Sequence, residues 1–201
     1  GLRIKKMVTE SGTSVATRYF YDGNKLVAEI SPTHRLDFLY DENDGLYGFV
    51  LDKSTPYFYV RDALENILGI IDKNGNLVVQ YAYNAWGKPE SITGTLATTV
   101  GELNPFRYKG YYFDRETGMY YCHSRYYVPD WCRWLCADSH MYLQEDSLFG
   151  LNPYMYCENS PVLLTDRLGT SPRWINILAW IGVGLVVAAA IVLTAGAAGV
   201  A

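Results

Sequence analysis

A chain of 201 residues, 49% hydrophobic and 19% charged, carries enough apolar surface for one globular core, which excludes disorder over most of its length. Its net charge of -4 comes with no stripe of Lys or Arg to neutralise phosphates, which excludes nucleic acid as a partner of this segment. The chain opens on GLRIKK and stops inside an apolar Gly-Ala-Ala-Gly-Val-Ala run, so both ends read as cuts in something longer.

Eighteen tyrosines fall mostly in pairs or at alternate positions, as in Tyr19-Phe20-Tyr21, Tyr57-Phe58-Tyr59 and Tyr81-Ala82-Tyr83. Aromatic alternation favours strands, where each ring packs on a pleated surface and its hydroxyl reaches a polar edge. From residue 17 to 87 such runs alternate with Gly, Asn or Asp turns, clearest at Asp22-Gly23-Asn24 and Asp72-Lys73-Asn74-Gly75. Asp-Gly and Asn-Gly between apolar runs predict β-hairpins closed by type I′ or related tight turns. A hairpin of roughly twenty residues cannot bury its own face, so these units are expected to stack as the end of a longer repeat array.

Residues 91–104 shift to Thr, Gly and small side chains and read as a surface loop. A second aromatic block follows over residues 106–127, again strands around Gly turns, and residues 139–149 read as a short helix or an irregular excursion. Residues 174–201 hold no charge and are rich in Ile, Val, Leu, Ala and Gly. A run of that length spans the ~30 Å hydrocarbon core of a bilayer, with Trp174 and Trp180 at its interface. A membrane is therefore an expected partner, and a buried helix of a downstream domain is the alternative.

The specific sequence of these blocks carries a family resemblance. Tyr59-Val60-Arg61-Asp62-Ala63-Leu64-Glu65-Asn66-Ile67-Leu68-Gly69 and Tyr81-Ala82-Tyr83-Asn84-Ala85-Trp86-Gly87-Lys88 resemble YD/RHS repeats. Asn104-Pro105-Phe106-Arg107-Tyr108-Lys109-Gly110-Tyr111-Tyr112-Phe113-Asp114, then Arg125-Tyr126-Tyr127, Arg133-Trp134-Leu135, Asp138, Asn159-Ser160-Pro161 and Asp166-Arg167-Leu168-Gly169 resemble the RHS-repeat-associated core. The resemblance implies a mainly β fold, the end of a hairpin spiral that forms a hollow shell, plugged by the associated core and followed by an apolar helix. It divides the chain into repeats over residues 1–90, core over 91–169 and the start of a variable region over 170–201. The implied function is a bacterial, secreted or cell-surface shell that encloses and delivers its own C-terminal toxin domain, with an immunity protein as a further partner. The alternative is an adhesive or carbohydrate-binding surface protein that uses exposed tyrosines and is anchored by the terminal helix.

The resemblance also implies self-cleavage directly after a closing Asp-Pro-x-Gly-Leu sequence, by core aspartates acting as in an aspartyl protease. That reaction needs two carboxylates close enough to share a proton, one as base on water and the other as acid. The candidates are Asp138, at the core Asp-Pro position but followed by Ser139, Asp146 in the excursion, and Asp166 in the closing motif. Here that motif is Asp166-Arg167-Leu168-Gly169-Thr170, without the proline that would fix the backbone or the leucine after glycine. The alternative role for Asp138 and Asp166 is the capping of turn amides.

Cys122, Cys132, Cys136 and Cys157 share the second half of the chain with His123 and His140, but their spacing assigns no metal ligand, and buried thiols or a disulfide suit it as well. No cofactor is expected, because the glycines of the β-rich part read as hairpin turns and no phosphate loop opens a helix.

Overall fold

A computed structural model of the chain describes residues 1–138, 152–166, 168–170 and 173–174. The hairpin periodicity folds as expected. Strands β1 (Lys5–Glu10), β2 (Thr13–Asp22), β3 (Lys25–Ile30), β4 (Arg35–Tyr40), β5 (Leu46–Leu51), β6 (Thr55–Arg61), β7 (Ile67–Ile71), β8 (Leu77–Tyr83) and β9 (Pro89–Thr93) form one antiparallel sheet in chain order. Strands β10 (Tyr112–Asp114), β11 (Met119–Cys122), β12 (Arg125–Val128) and β13 (Arg133–Trp134) form a second, and β14 (Leu164–Thr165) pairs with β15 (Arg173–Trp174).

Register places one side-chain set of the large sheet on a common face, because alternate residues point to opposite sides. Tyr19 lies opposite Glu29, Glu29 opposite Leu36, and Phe49 opposite both Phe38 and Tyr57; Ile70 lies between Tyr59 and Val79. Leu36, Phe49, Ile70 and Val79 are fully buried there, against Val100, Phe106 and Tyr112 from the following segment.

Four turns are built alike, and side-chain chemistry explains them better than glycine alone. Asp41 Oδ1 accepts the amides of Asn43 and Gly45 at 2.9 and 2.8 Å; Asp62 accepts those of Leu64 and Asn66, both at 2.9 Å. Asp72 accepts those of Asn74 and Asn76, and Asn84 those of Trp86 and Lys88. In each, the fourth residue has positive φ: Asp44, Glu65, Gly75 and Gly87. The side chain thus satisfies two amides that the ladder leaves over, and the left-handed residue adds the bulge that returns the chain. Of the expected tight turns, the one at Gly75 is the related form in which a three-residue loop follows the aspartate and Gly75 takes positive φ. These bonds hold the Asp41 carboxyl below the usual range through the Gly45 and Asn43 amides, and that of Asp72 through Asn76 first.

The expected surface loop over residues 91–104 is also corrected. It holds β9 and a helical turn, Ala97–Gly101, which buries Val100 against Val79 and Tyr81 in the sheet core. Its small residues serve close approach: a Cβ on Gly94 would lie 2.4 Å from the carbonyl oxygen of Val78.

The second block docks through partnered polar groups at its boundary with the large sheet. Asn104 accepts the Tyr59 hydroxyl at 2.7 Å and donates to the Phe106 carbonyl at 2.6 Å. The hydroxyls of Tyr108, Tyr127 and Tyr120 donate to the successive carbonyls of Ala85, Trp86 and Gly87, so one repeat turn is gripped by three tyrosines. Arg3 donates to Asp114 at 2.5 Å, with its guanidinium over the rings of Tyr121, Tyr19 and Tyr112. Tyr156 stacks on Tyr127 with centroids 3.9 Å apart and meets Trp134 edge-on at 5.4 Å, contacts worth about 0.5–1.5 kcal/mol each beyond burial.

This inward use of tyrosine does not favour the adhesive reading, which needs the rings exposed. Tyr19, Tyr57, Tyr81, Tyr108, Tyr111, Tyr112, Tyr120, Tyr127 and Tyr156 are all buried. The terminal helix expected from Trp174 does not begin there, since Trp174 pairs with Leu164 as a strand. Residues 175–201 lie outside the described residues, and among the described ones no helix is long and apolar enough to cross a membrane.

Candidate functional site

Strand β12 opens with Arg125, which pairs with Cys122 across a tight reversal at His123-Ser124. His123 takes positive φ, and the Ser124 amide returns to the Cys122 carbonyl at 2.6 Å. The reversal aims Arg125 inward, across the Trp134 ring at 4.2 Å. Its guanidinium then meets two carboxylates: one terminal nitrogen lies 2.8 Å from Asp138 Oδ2 and 3.3 Å from Asp166 Oδ2. Asp166 and Arg125 are buried, and the Asp138 side chain is nearly so.

Two of the three expected aspartates are therefore brought together from positions 28 residues apart, by an arginine between them. Asp146 lies outside the described residues. Each aspartate also has a fixed backbone frame. The Asp138 amide donates to the Pro153 carbonyl at 2.9 Å, and the Asp166 amide donates to the Tyr111 hydroxyl at 3.1 Å. Asp166 Oδ1 accepts the Thr170 amide at 3.0 Å, which is the capping geometry expected of a turn residue, while Oδ2 faces Arg125. The two alternative roles for Asp166 thus occupy its two oxygens. Burial pulls the Arg125 pKa down, and Asp138 and Asp166 oppose that pull.

Sequence reasoning does not find three of the residues gathered here. Arg125 reads only as part of an aromatic strand, and Ser124 carries no signal at all. Lys109 is buried and donates its ammonium to the carbonyls of Pro161 and Leu164, which ties the closing segment to the Tyr108–Gly110 turn. Burial lowers its pKa. An Arg within a Tyr-rich strand is the available signal, since a long cation among rings is either solvated or paired with a buried acid.

A cavity of about 360 Å³ opens beside this cluster, bounded by the repeat sheet on one side and by His123, Thr165, Asp166, Leu168 and Thr170 on the other. The cysteines do not converge on it as ligands: Cys122 and Cys157 are buried thiols in the aromatic core, and Cys136 is exposed. Burial pushes the Cys157 thiol up to about 12. Among the described residues no group of three His, Cys, Asp or Glu is placed to hold a metal, and His140 lies outside them.

A meander of Asx-capped hairpins, packed against a small aromatic sheet whose last turn closes on an Arg-bridged carboxylate pair, is the architecture of a hairpin-repeat shell protein. The family profile of the Teneurin YD-shell matches residues 4–162, and the chain belongs to that family. It is 36% identical over 172 residues to the tRNA nuclease WapA of Bacillus subtilis, and 30% identical over 176 residues to the double-stranded DNA deaminase toxin A of Burkholderia cenocepacia. Each match covers 84% of this chain, and the chain spans 7% and 11% of those two relatives. Among solved structures, the TcdB2-TccC3-Cdc42 complex superposes with a TM-score of 0.67 at 22% identity, over 85% of this chain and 8% of that one, which shows a shared fold.

Proposed function

We propose that this segment is the closing wall of a shell that encloses a C-terminal toxin domain of the same polypeptide and cuts it free. The repeats over residues 1–90 form wall, residues 91–169 form the plug, and the passenger begins near residue 170. The observation that carries this reading is the Arg125-bridged Asp138–Asp166 pair, buried against the turn where the passenger would start. The relatives support it from another side. They are named for different activities, on tRNA and on double-stranded DNA, yet share this stretch, which has no basic stripe for either. The stretch therefore serves what they have in common, and the toxic activity lies beyond it.

The pair supplies base and acid for hydrolysis of the closing turn, with Arg125 holding both carboxyls in place. In full-length protein, the expected result is two fragments parting close to Thr170, and a single intact chain on Asp138→Asn with the fold retained. Arg167→Pro with Thr170→Leu should speed the cut. If neither the unmodified protein nor that variant is cut, the aspartates only cap turns and the passenger stays attached.

Delivery from a secreted or cell-surface bacterial protein, and a matching immunity protein, go with this reading. So does a membrane-active stretch over residues 175–201, motivated by its uncharged length. A peptide of that stretch should turn helical and bind lipid vesicles; one that stays unbound removes the membrane role without touching the shell.

A further inference from the structure

The closing turn is held in a way that singles out one peptide bond, and the chemistry inferred for that bond rests on the proposed self-cleavage. The Gly169 carbonyl oxygen takes two side-chain donors, Arg125 Nε at 2.5 Å and Ser124 Oγ at 2.7 Å. Ser124 also lies 2.6 Å from the Leu168 carbonyl, so its one hydroxyl proton is shared between the two in the resting state. Among the described residues, Gly169 is the position of this turn whose carbonyl is gripped twice. Gly169 itself has φ +68°, and a Cβ there would lie 2.8 Å from both the Cys122 carbonyl oxygen and Ser124 Oγ. Only glycine fits this close against the two donors.

The same peptide bond has its nitrogen addressed as well. The Thr170 amide points at Asp166 Oδ1, 3.0 Å away. Donors on the oxygen and a carboxyl at the nitrogen meet two of the requirements of amide hydrolysis, beside a base for the attacking water: the oxygen becomes an oxyanion, and the nitrogen must leave protonated. The cavity of about 360 Å³ reaches Asp166, Leu168 and Thr170, which is room for several waters at roughly 30 Å³ apiece.

We infer that Ser124 and Arg125 form a two-donor hole for the Gly169 carbonyl, and that the chain opens between Gly169 and Thr170, one bond earlier than the family resemblance implies. A water oxygen bonds to the Gly169 carbonyl carbon as Asp138 takes its proton, and the oxyanion is held by Arg125 and Ser124. Collapse breaks the C–N bond, and Asp166, which the step requires to start as the neutral acid, delivers its proton to the Thr170 nitrogen. The pair ends with one proton, on Asp138, and the products are a carboxyl at Gly169 and an amine at Thr170. Water is the whole co-reactant. Ser124 touches the reacting oxygen, so it is a catalytic residue of this step, one that a turn-capping role for the aspartates does not call for.

The test is the N-terminal residue and exact mass of the released fragment in full-length protein, with cleavage rates for Ser124→Ala and Ser124→Thr. The expected fragment starts at Thr170. Ser124→Ala should slow its release on the order of 100-fold, as loss of one oxyanion donor does, and Ser124→Thr, which keeps the hydroxyl, should restore most of the rate. Ser124 is exposed on its turn, so neither change threatens the fold. A fragment starting at Ser171 overturns the bond assignment while the self-cleavage reading stands. A fragment starting at Thr170 at an unchanged rate in Ser124→Ala overturns the hole. No fragment from any of the three proteins overturns the self-cleavage reading itself, and this inference with it.

Discussion

Gly75 and Gly87 occupy the same place in two of the Asx-capped turns, with φ of +84° and +82°, yet their surroundings differ. A Cβ on Gly75 meets nothing within 4 Å, whereas one on Gly87 would lie 2.3 Å from Cδ1 and 2.5 Å from Cγ of Tyr108. Gly75→Ala therefore carries only the left-handed backbone penalty, about 1 kcal/mol. Gly87→Ala carries the same penalty and must also push the ring back by about 1.2 Å to reach carbon–carbon contact distance. Tyr108 is 3% exposed, packs on Tyr83, Tyr111 and Tyr120, and donates its hydroxyl to Ala85, so it has nowhere free to go. Overpacking adds about 1–3 kcal/mol and a strained hydroxyl bond about 1 kcal/mol, for a total near 3–5 kcal/mol. Urea unfolding followed by intrinsic fluorescence reads the difference, and Tyr108→Leu should recover part of the loss in Gly87→Ala but not in Gly75→Ala. Equal losses at the two glycines, within about 0.5 kcal/mol, would refute the placement of the Tyr108 ring over that turn.

Alkylation at pH 8 in the native state should label Cys136 and spare Cys122 and Cys157 until the protein is unfolded, as peptide mass mapping will show; burial holds both thiols protonated. Buried tyrosines have raised pKa values, with Tyr81 pushed up to about 12 mainly by burial, so their contribution to stability is whole below pH 10 and is lost as pH rises through 12. Absorbance at 295 nm should then show the buried tyrosines ionising only together with loss of near-ultraviolet circular dichroism. Asp41 and Asp72 have lowered pKa values, so the stability they lend is present above pH 4 and is lost as pH falls through their folded values. Asp72→Asn should hold its melting temperature into acid better than the unmodified chain, and Asp72→Ala should melt lower at pH 7.

Strands are legible because alternation of large aromatics has period two, and the register that buries Leu36, Phe49 and Ile70 follows from it. Turn positions are legible too, but not their mechanism: Asp62-Ala63-Leu64-Glu65-Asn66 contains no glycine and still makes the same turn as Asp72-Lys73-Asn74-Gly75-Asn76, since the leading aspartate supplies the bonds. Residues 91–104 mislead because Thr and Gly mark loops and close packing alike, and sequence does not say that Val78 runs past Gly94. Asp138 and Asp166 are candidates through a family resemblance. Their meeting depends on Arg125, whose inward direction comes from the reversal at His123, a left-handed residue that the aromatic alternation around it does not signal.

Every strand of the large sheet pairs with its neighbours in the chain, so each can add to the one before it as soon as it is synthesised, and none waits for a distant partner. The Arg125 cluster obeys a different clock. It joins residues 41 positions apart, from β12 to the closing turn. Contacts of such long range come late, because the chain must first lose the entropy of closing a long loop. In the proposed mechanism the donors reach the Gly169 carbonyl only when the wall is complete, which would make scission conditional on assembly: a chain that stalls before that point would keep its passenger tethered to an unfinished container.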